Sequence, residues 1–199
     1  TSRGLGDVYK RQDNRYVVKG EAGSPYAIKD YYDIDPDLAE EPSTRMQEFE
    51  ALVTRTHEVG LKVVLDFVPN HVARQYHSDT APEGVDDLGA HDNKEMHFSP
   101  SNNFYYIPRQ AFTPQFYIGE GEERYFEYPA KATGNDCFGA FPGEYDWYET
   151  VKLNYGVDYT GGGRCHFDPI PDTWYKMLDI LLFWCGKGAD ALSLIHISE

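Results

Sequence analysis

Leu61-Lys62-Val63-Val64-Leu65-Asp66-Phe67-Val68 is the stretch on which the fold turns. It is apolar almost throughout, and Pro69 ends it, because proline has no N–H to give to a ladder. Such a run reads as a strand buried on both faces, the habit of a parallel sheet covered by helices. A helix precedes it. Met46, Phe49, Leu52, Val53, Thr56 and Val59 recur at helical spacing on one face. Thr44 and Gln47 fit a capping box, Pro42 stands just before the helix, and Gly60 is the natural stop. Helix, glycine and buried strand make half of an α/β repeat. A second helix opens at Pro171-Asp172-Thr173, with Trp174, Met177, Leu178, Leu181, Leu182 and Cys185 as its predicted buried face. Gly186 and Gly188 end it, and Gly188-Ala189-Asp190-Ala191 reads as the start of another buried strand.

The ground between these elements differs. From Val72 to about Gly163, Gly, Pro, Asn and Asp recur, periodicity is poor and aromatics are dense, as in Phe104-Tyr105-Tyr106 and Trp147-Tyr148. A stretch this long is no simple loop, so it reads as an inserted subdomain with short strands. Gly23-Ser24-Pro25 and the Tyr- and Asp-rich residues up to Pro36 read as a loop.

The chain has 199 residues, with 33 Asp and Glu against 18 Lys and Arg, a formal net charge of −15. That charge speaks against a nucleic-acid partner or an anionic membrane surface. No apolar run approaches the roughly 20 residues of a membrane span. An aromatic share of 15% speaks against disorder. The three cysteines, Cys137, Cys165 and Cys185, form no CxxC pair, and their odd number excludes a fully paired disulfide framework. There is no starting Met, and residues 1–12 and 192–199 resemble translated sequencing-adapter DNA, so both are set aside as technical. The expected organisation is then barrel part 13–71, insertion 72–163 and barrel part 164–191.

Asp66-Phe67-Val68-Pro69-Asn70-His71 carries the chemistry. It sets an acid inside an apolar strand and an amide and an imidazole just past its end. Polar groups at the C-terminal end of a barrel strand face the active site. A charged Asp66 in that strand calls for a cationic partner. From chemistry alone, Asp66 and Asn70 as loop caps and His71 as a surface residue are an equal alternative. His77, His91 and His97 lack metal-ligand spacing and read as solvated loop residues. Glu144, Asp146 and Glu149 read as a polar rim.

Gly60 to His71, followed by a long insertion, resembles the first signature region of the α-amylase family, glycoside hydrolase family 13. Tyr26-Ala27-Ile28-Lys29-Asp30-Tyr31-Tyr32 resembles the segment after that family's second barrel strand, and Val151-Lys152-Leu153-Asn154 its signature near the end of the inserted domain. The resemblance implies an α/β fold, a partial (β/α)8 barrel of about strands 2–4 with an irregular β subdomain after strand 3. It implies a retaining hydrolase or transglycosylase acting on α-glucosidic bonds of starch-like glucans or maltooligosaccharides.

In this family the nucleophilic Asp follows an Arg by two residues on the fourth strand, so both are expected beyond Ala191, with the other catalytic carboxylates later still. No catalytic residue is therefore assigned. Asp190, which precedes the expected position, belongs to the start of the strand. By resemblance His71 bonds the glucosyl unit beside the cleaved bond, Tyr26 stacks on that ring, and Asp66 orients the missing Arg. The lesser alternative for Tyr26 is a core or surface tyrosine among 16. Asn70 resembles a calcium ligand, and a carbonyl oxygen suits that hard ion. Lys152 stands where many members have the acidic ligand, as in the neopullulanase and cyclomaltodextrinase branch, so no cofactor or metal is expected. Two alternatives are a glucan-binding relative without catalysis and an interaction domain like the amylase-like heavy chains of amino-acid transporters. A full barrel needs about 250 residues. The chain alone is expected to be inactive on maltooligosaccharides and to aggregate.

Overall fold

The computed structural model describes residues 13–21 and 23–194. The end segment 1–12 and residues 195–199 lie outside them. After turns and three short 3-10 segments comes helix α1 (Arg45–Glu58), then strands β1 (Val64–Phe67), β2 (His71–Ala73), β3 (Tyr106–Ile107), β4 (Ala130–Lys131), β5 (Thr150–Lys152), β6 (Val157–Asp158) and β7 (Arg164–Cys165). Helix α2 (Asp172–Gly186) and strand β8 (Ala191–Leu194) close the order.

β1 and β8 pair in parallel, with Val64 opposite Ala191 and Phe67 opposite Leu194. A parallel pair needs a long crossover, and the insertion and α2 supply it. This is the α/β repeat expected of the apolar run. No strand precedes α1 among the described residues, so of the expected strands 2–4 only two are formed. Residues 192–194, set aside with the technical end, are part of β8.

β1, four residues long, is shorter than the apolar run. It is also not buried on both faces. Leu65 and Phe67 are buried, whereas Val64 is 49% exposed and Asp66 half-buried. One face packs on the helices, and among the described residues nothing covers the other.

The helices depart from their expected faces. In α1 only Phe49 and Val53 are buried, and Leu52 and Val59 are exposed. Thr44 makes no cap bond to the backbone. Glu48 does the capping in place of Gln47: its carboxylate accepts from the N–H groups of Glu40 and Glu41, both at 2.9 Å, and from the Thr44 hydroxyl. Gly60, at φ +76°, turns the chain out of the helix.

α2 buries Thr173, Met177, Ile180 and Trp184, while Trp174, Leu178, Leu182 and Cys185 are exposed. Met177 is buried as expected and Leu181 packs partly buried on the core, while the rest of the buried stripe is offset by one residue from the expected one, and both stripes have helical spacing. Periodicity cannot choose between them on a helix apolar nearly all round. Trp184 decides, because its indole N–H donates to the Tyr31 carbonyl at 2.7 Å and its ring packs edge-on to Phe49.

The main core joins the loop residues Ile28, Tyr31 and Ile34 to α1, β1 and α2, and draws in Phe104, Tyr106, Val151 and Leu153 from the insertion. A second core of Ile107, Phe112, Ile118, Tyr125, Ala130 and Ala140 packs on Val17. The insertion therefore has a core of its own and also shares the main one. Its start and end meet where β2 pairs antiparallel with β5, and the expected boundary at 71/72 falls inside β2.

Candidate functional site

The site is the end of β1, where Pro69 breaks the strand and the chain turns into β2. Asn70 is 7% and His71 2% exposed. Tyr31 and Tyr155 donate their hydroxyls to the carbonyls of Val68 and Pro69, both at 2.6 Å, and so pin the turn. Asn70 Nδ2 donates to the Gly134 carbonyl at 2.8 Å and lies 3.0 Å from His71 Nδ1. Lys152 Nζ donates to Asn70 Oδ1 at 3.1 Å. The β2–β5 register places Lys152 directly opposite His71.

Lys152, itself 3% exposed, pairs with Asp136 at 2.6 Å and lies 5.2 Å from the Tyr159 ring centre. Trp147 packs edge-on to His71 with ring centres 5.4 Å apart. The fixed ammonium at the Asn70 oxygen does not fit a dication in the same place. Among the described residues no group of three His, Cys, Asp or Glu side chains could hold a metal ion.

The structure joins Asn70 and His71 in one network and leaves Asp66 outside it. Asp66 sits opposite Ser193 on the uncovered face of β1. The cation expected beside it is absent among the described residues, because a half-exposed carboxylate is stabilised by water instead. Tyr26 is half-buried against the main core, its N–H donating to Ser24 Oγ at 3.2 Å. Asp190 sits at the start of β8, bonded to His57, Lys62 and the Val63 N–H.

Glu149 is not a rim residue. It is 4% exposed, and its carboxylate accepts from the N–H groups of Ser24 at 2.9 Å and Lys19 at 3.1 Å. Asp146 is likewise occupied, by Asn135 and the Gly143 N–H. His77 and His91 are exposed and pair with Asp87 and Asp86.

Three members of the network carried no signal in the sequence. Gly134 and Asp136 sit in an unremarkable turn, and Trp147 is one aromatic of many; only tertiary contact gives them a place. Next to the site Arg74, wholly buried, pairs with Glu127 at 2.7 Å and donates to the carbonyls of Tyr148, Thr150 and Lys131. Burial pushes the Glu127 carboxyl up, but Arg74 and Lys131 beside it more than offset this and hold it below its ordinary value.

The model of the α-amylase catalytic domain matches residues 8–117. The chain is 31% identical to Maltase 1 of Drosophila virilis, covering 87% of this chain and 24% of the relative. It is 35% identical to the amino acid transporter heavy chain SLC3A1 of Homo sapiens, covering 85% of this chain and 20% of the relative. It thus spans about a quarter or less of the length of these relatives. Among solved structures, an α-amylase from Lactobacillus plantarum is 24% identical with a TM-score of 0.47, over 94% of this chain and 29% of that one. With the matched model spanning more than half of its residues, the chain belongs to the α-amylase catalytic-domain family.

Proposed function

We propose that the chain is part of a retaining glycoside hydrolase or transglycosylase that acts on α-glucosidic bonds of starch-like glucans or maltooligosaccharides. The observation that carries this reading is the buried Asn70–His71 pair at the C-terminal end of β1, in a chain of this family. His71 holds a hydroxyl of the glucosyl unit beside the cleaved bond, and Tyr26 stacks on its ring. Asp66, on the open face of β1, faces an Arg of a neighbouring strand. Such chemistry takes two carboxyl groups about 5–5.5 Å apart, and these belong to later strands of the whole protein. Lys152 supplies the positive charge at Asn70, so the reading needs no calcium there.

The similarity to a transporter heavy chain favours a second reading, an interaction domain with the same strand and turn. Reading the source DNA onward from the codon of Ala191 separates the two. Arg-x-Asp within a few residues is the expected result. Arg-x-Asn or Arg-x-Gly would contradict the enzyme and leave the second reading.

A further inference from the structure

We propose that Asp136 and Trp147 form a second glucan-binding point on the insertion, beside His71. The unpaired oxygen of Asp136 accepts from hydroxyls of the next glucosyl unit, and the Trp147 ring lies against the flat face of that unit. The identity of the ligand rests on the proposed function; the residues are ones to which that reading gives no part.

The two residues come from different turns that are knotted together. In the first, the Thr133 N–H donates to the Cys137 carbonyl and the Asp136 N–H to the Thr133 carbonyl, both at 3.1 Å. In the second, Asp146 Oδ2 accepts from the Gly143 N–H at 2.8 Å. Asn135 joins the turns. Its Nδ2 donates to Asp146 Oδ1 at 2.9 Å, and its Oδ1 accepts from the Trp147 N–H at 3.0 Å and the Thr133 hydroxyl at 2.6 Å. Both backbones are thus fixed before a ligand arrives, which lowers the ordering cost of binding.

His71 relates the two in space. The Trp147 ring packs edge-on to it, with centres 5.4 Å apart. Lys152, opposite His71 in the β2–β5 register, holds Asp136 Oδ1 at 2.6 Å. That ion pair is lopsided: the Lys152 side chain is 3% exposed and that of Asp136 54%. Neutralising the buried ammonium occupies one carboxylate oxygen. Among the described residues Oδ2 has no partner, and it remains an acceptor on a half-open side chain. Asp136 stands at φ +65°, a conformation that few residues besides Gly, Asn and Asp adopt. Trp147, large and apolar, is nevertheless 38% exposed. A half-open indole near a carboxylate gives a sugar both things it binds, an apolar face for its C–H groups and an acceptor for its hydroxyls.

The test is a titration with maltotriose of the chain carried as a soluble fusion, followed in two sets of NMR signals. The His71 ring is assigned from the His71→Gln spectrum, and the Trp147 indole N–H from its loss in Trp147→Phe. The indole signal is expected to shift and saturate. Asp136→Asn suits the same backbone and keeps an oxygen for Lys152, so the chain should stay folded while binding weakens about tenfold. An indole signal that stays in place while the His71 ring shifts overturns the proposal without any variant and leaves the proposed function standing. So does a folded Asp136→Asn chain that binds maltotriose as tightly as the wild type. An indole shift sensitive to Asp136→Asn, with the His71 ring unmoved, upholds this binding point and removes the role given to His71. If neither signal moves in a folded chain, both readings fall.

Discussion

At the start of β1 a carboxylate near the surface, Asp190, gathers the His57 ring at 2.7 Å, Lys62 at 2.8 Å and the Val63 N–H at 2.9 Å. At its end a buried amide, Asn70, gathers Lys152, Gly134 and His71. Both clusters tie distant segments to the same strand. The first stands in water, where salt and acid reach it and exposed ion pairs contribute little. The second is shut away from water, where a missing partner leaves a polar group unsatisfied and one arrangement alone satisfies every member. The start of the strand is therefore built for tolerance and its end for a single geometry, which is what a site needs.

The comparison breaks most visibly if the buried end is attacked through Arg74. Arg74→Met leaves the Glu127 carboxylate buried without its closest partner and frees three carbonyls. Losing one partner of a buried pair costs about 3–5 kcal/mol, to be read by urea unfolding, and Glu127→Leu on top should recover part of it. Lys152→Met should cost less, about 1–3 kcal/mol, because Asn70 Oδ1 loses its donor while Asp136 is 54% exposed and can turn to water. That loss should hardly change between low and high salt.

Asp190→Asn should give the smallest loss, and one that salt erodes. Its carboxyl is held below the ordinary range, first by the Lys62 hydrogen bond, then by the Val63 N–H and His57. A group with a depressed folded value stabilises above its unfolded value, about 3.9, and loses that stabilisation as pH falls through the folded one. The gap between wild type and Asp190→Asn should therefore be widest near neutral pH and close in acid. A gap that widened on acidification would contradict the assignment.

Much of the frame was legible in the sequence because one apolar run, one glycine and one proline mark α1, β1 and the turn. The face of α2 was not, since two stripes one residue apart both satisfy helical spacing and only the Trp184–Tyr31 bond selects between them. The burial of β1 on both faces failed for a related reason: the run states what a strand can bury, and its neighbours decide what it does bury. At the site, Asn70 and His71 were singled out by the family resemblance, since their place just past a buried strand fitted loop caps and a surface residue equally well. Gly134, Asp136 and Trp147 were not, because they lie more than sixty residues away and act only through the fold. Glu149 reads as a surface acid until the N–H groups of Lys19 and Ser24 are seen to close around it.

The most direct test of the account is a titration of the soluble fusion with maltotriose while the ring signals of His71 are followed. The account predicts that they shift and saturate, and that Tyr26→Ala weakens the response with the fold intact. Signals that stay in place at millimolar maltotriose, in a chain whose spectrum shows it folded, would contradict it.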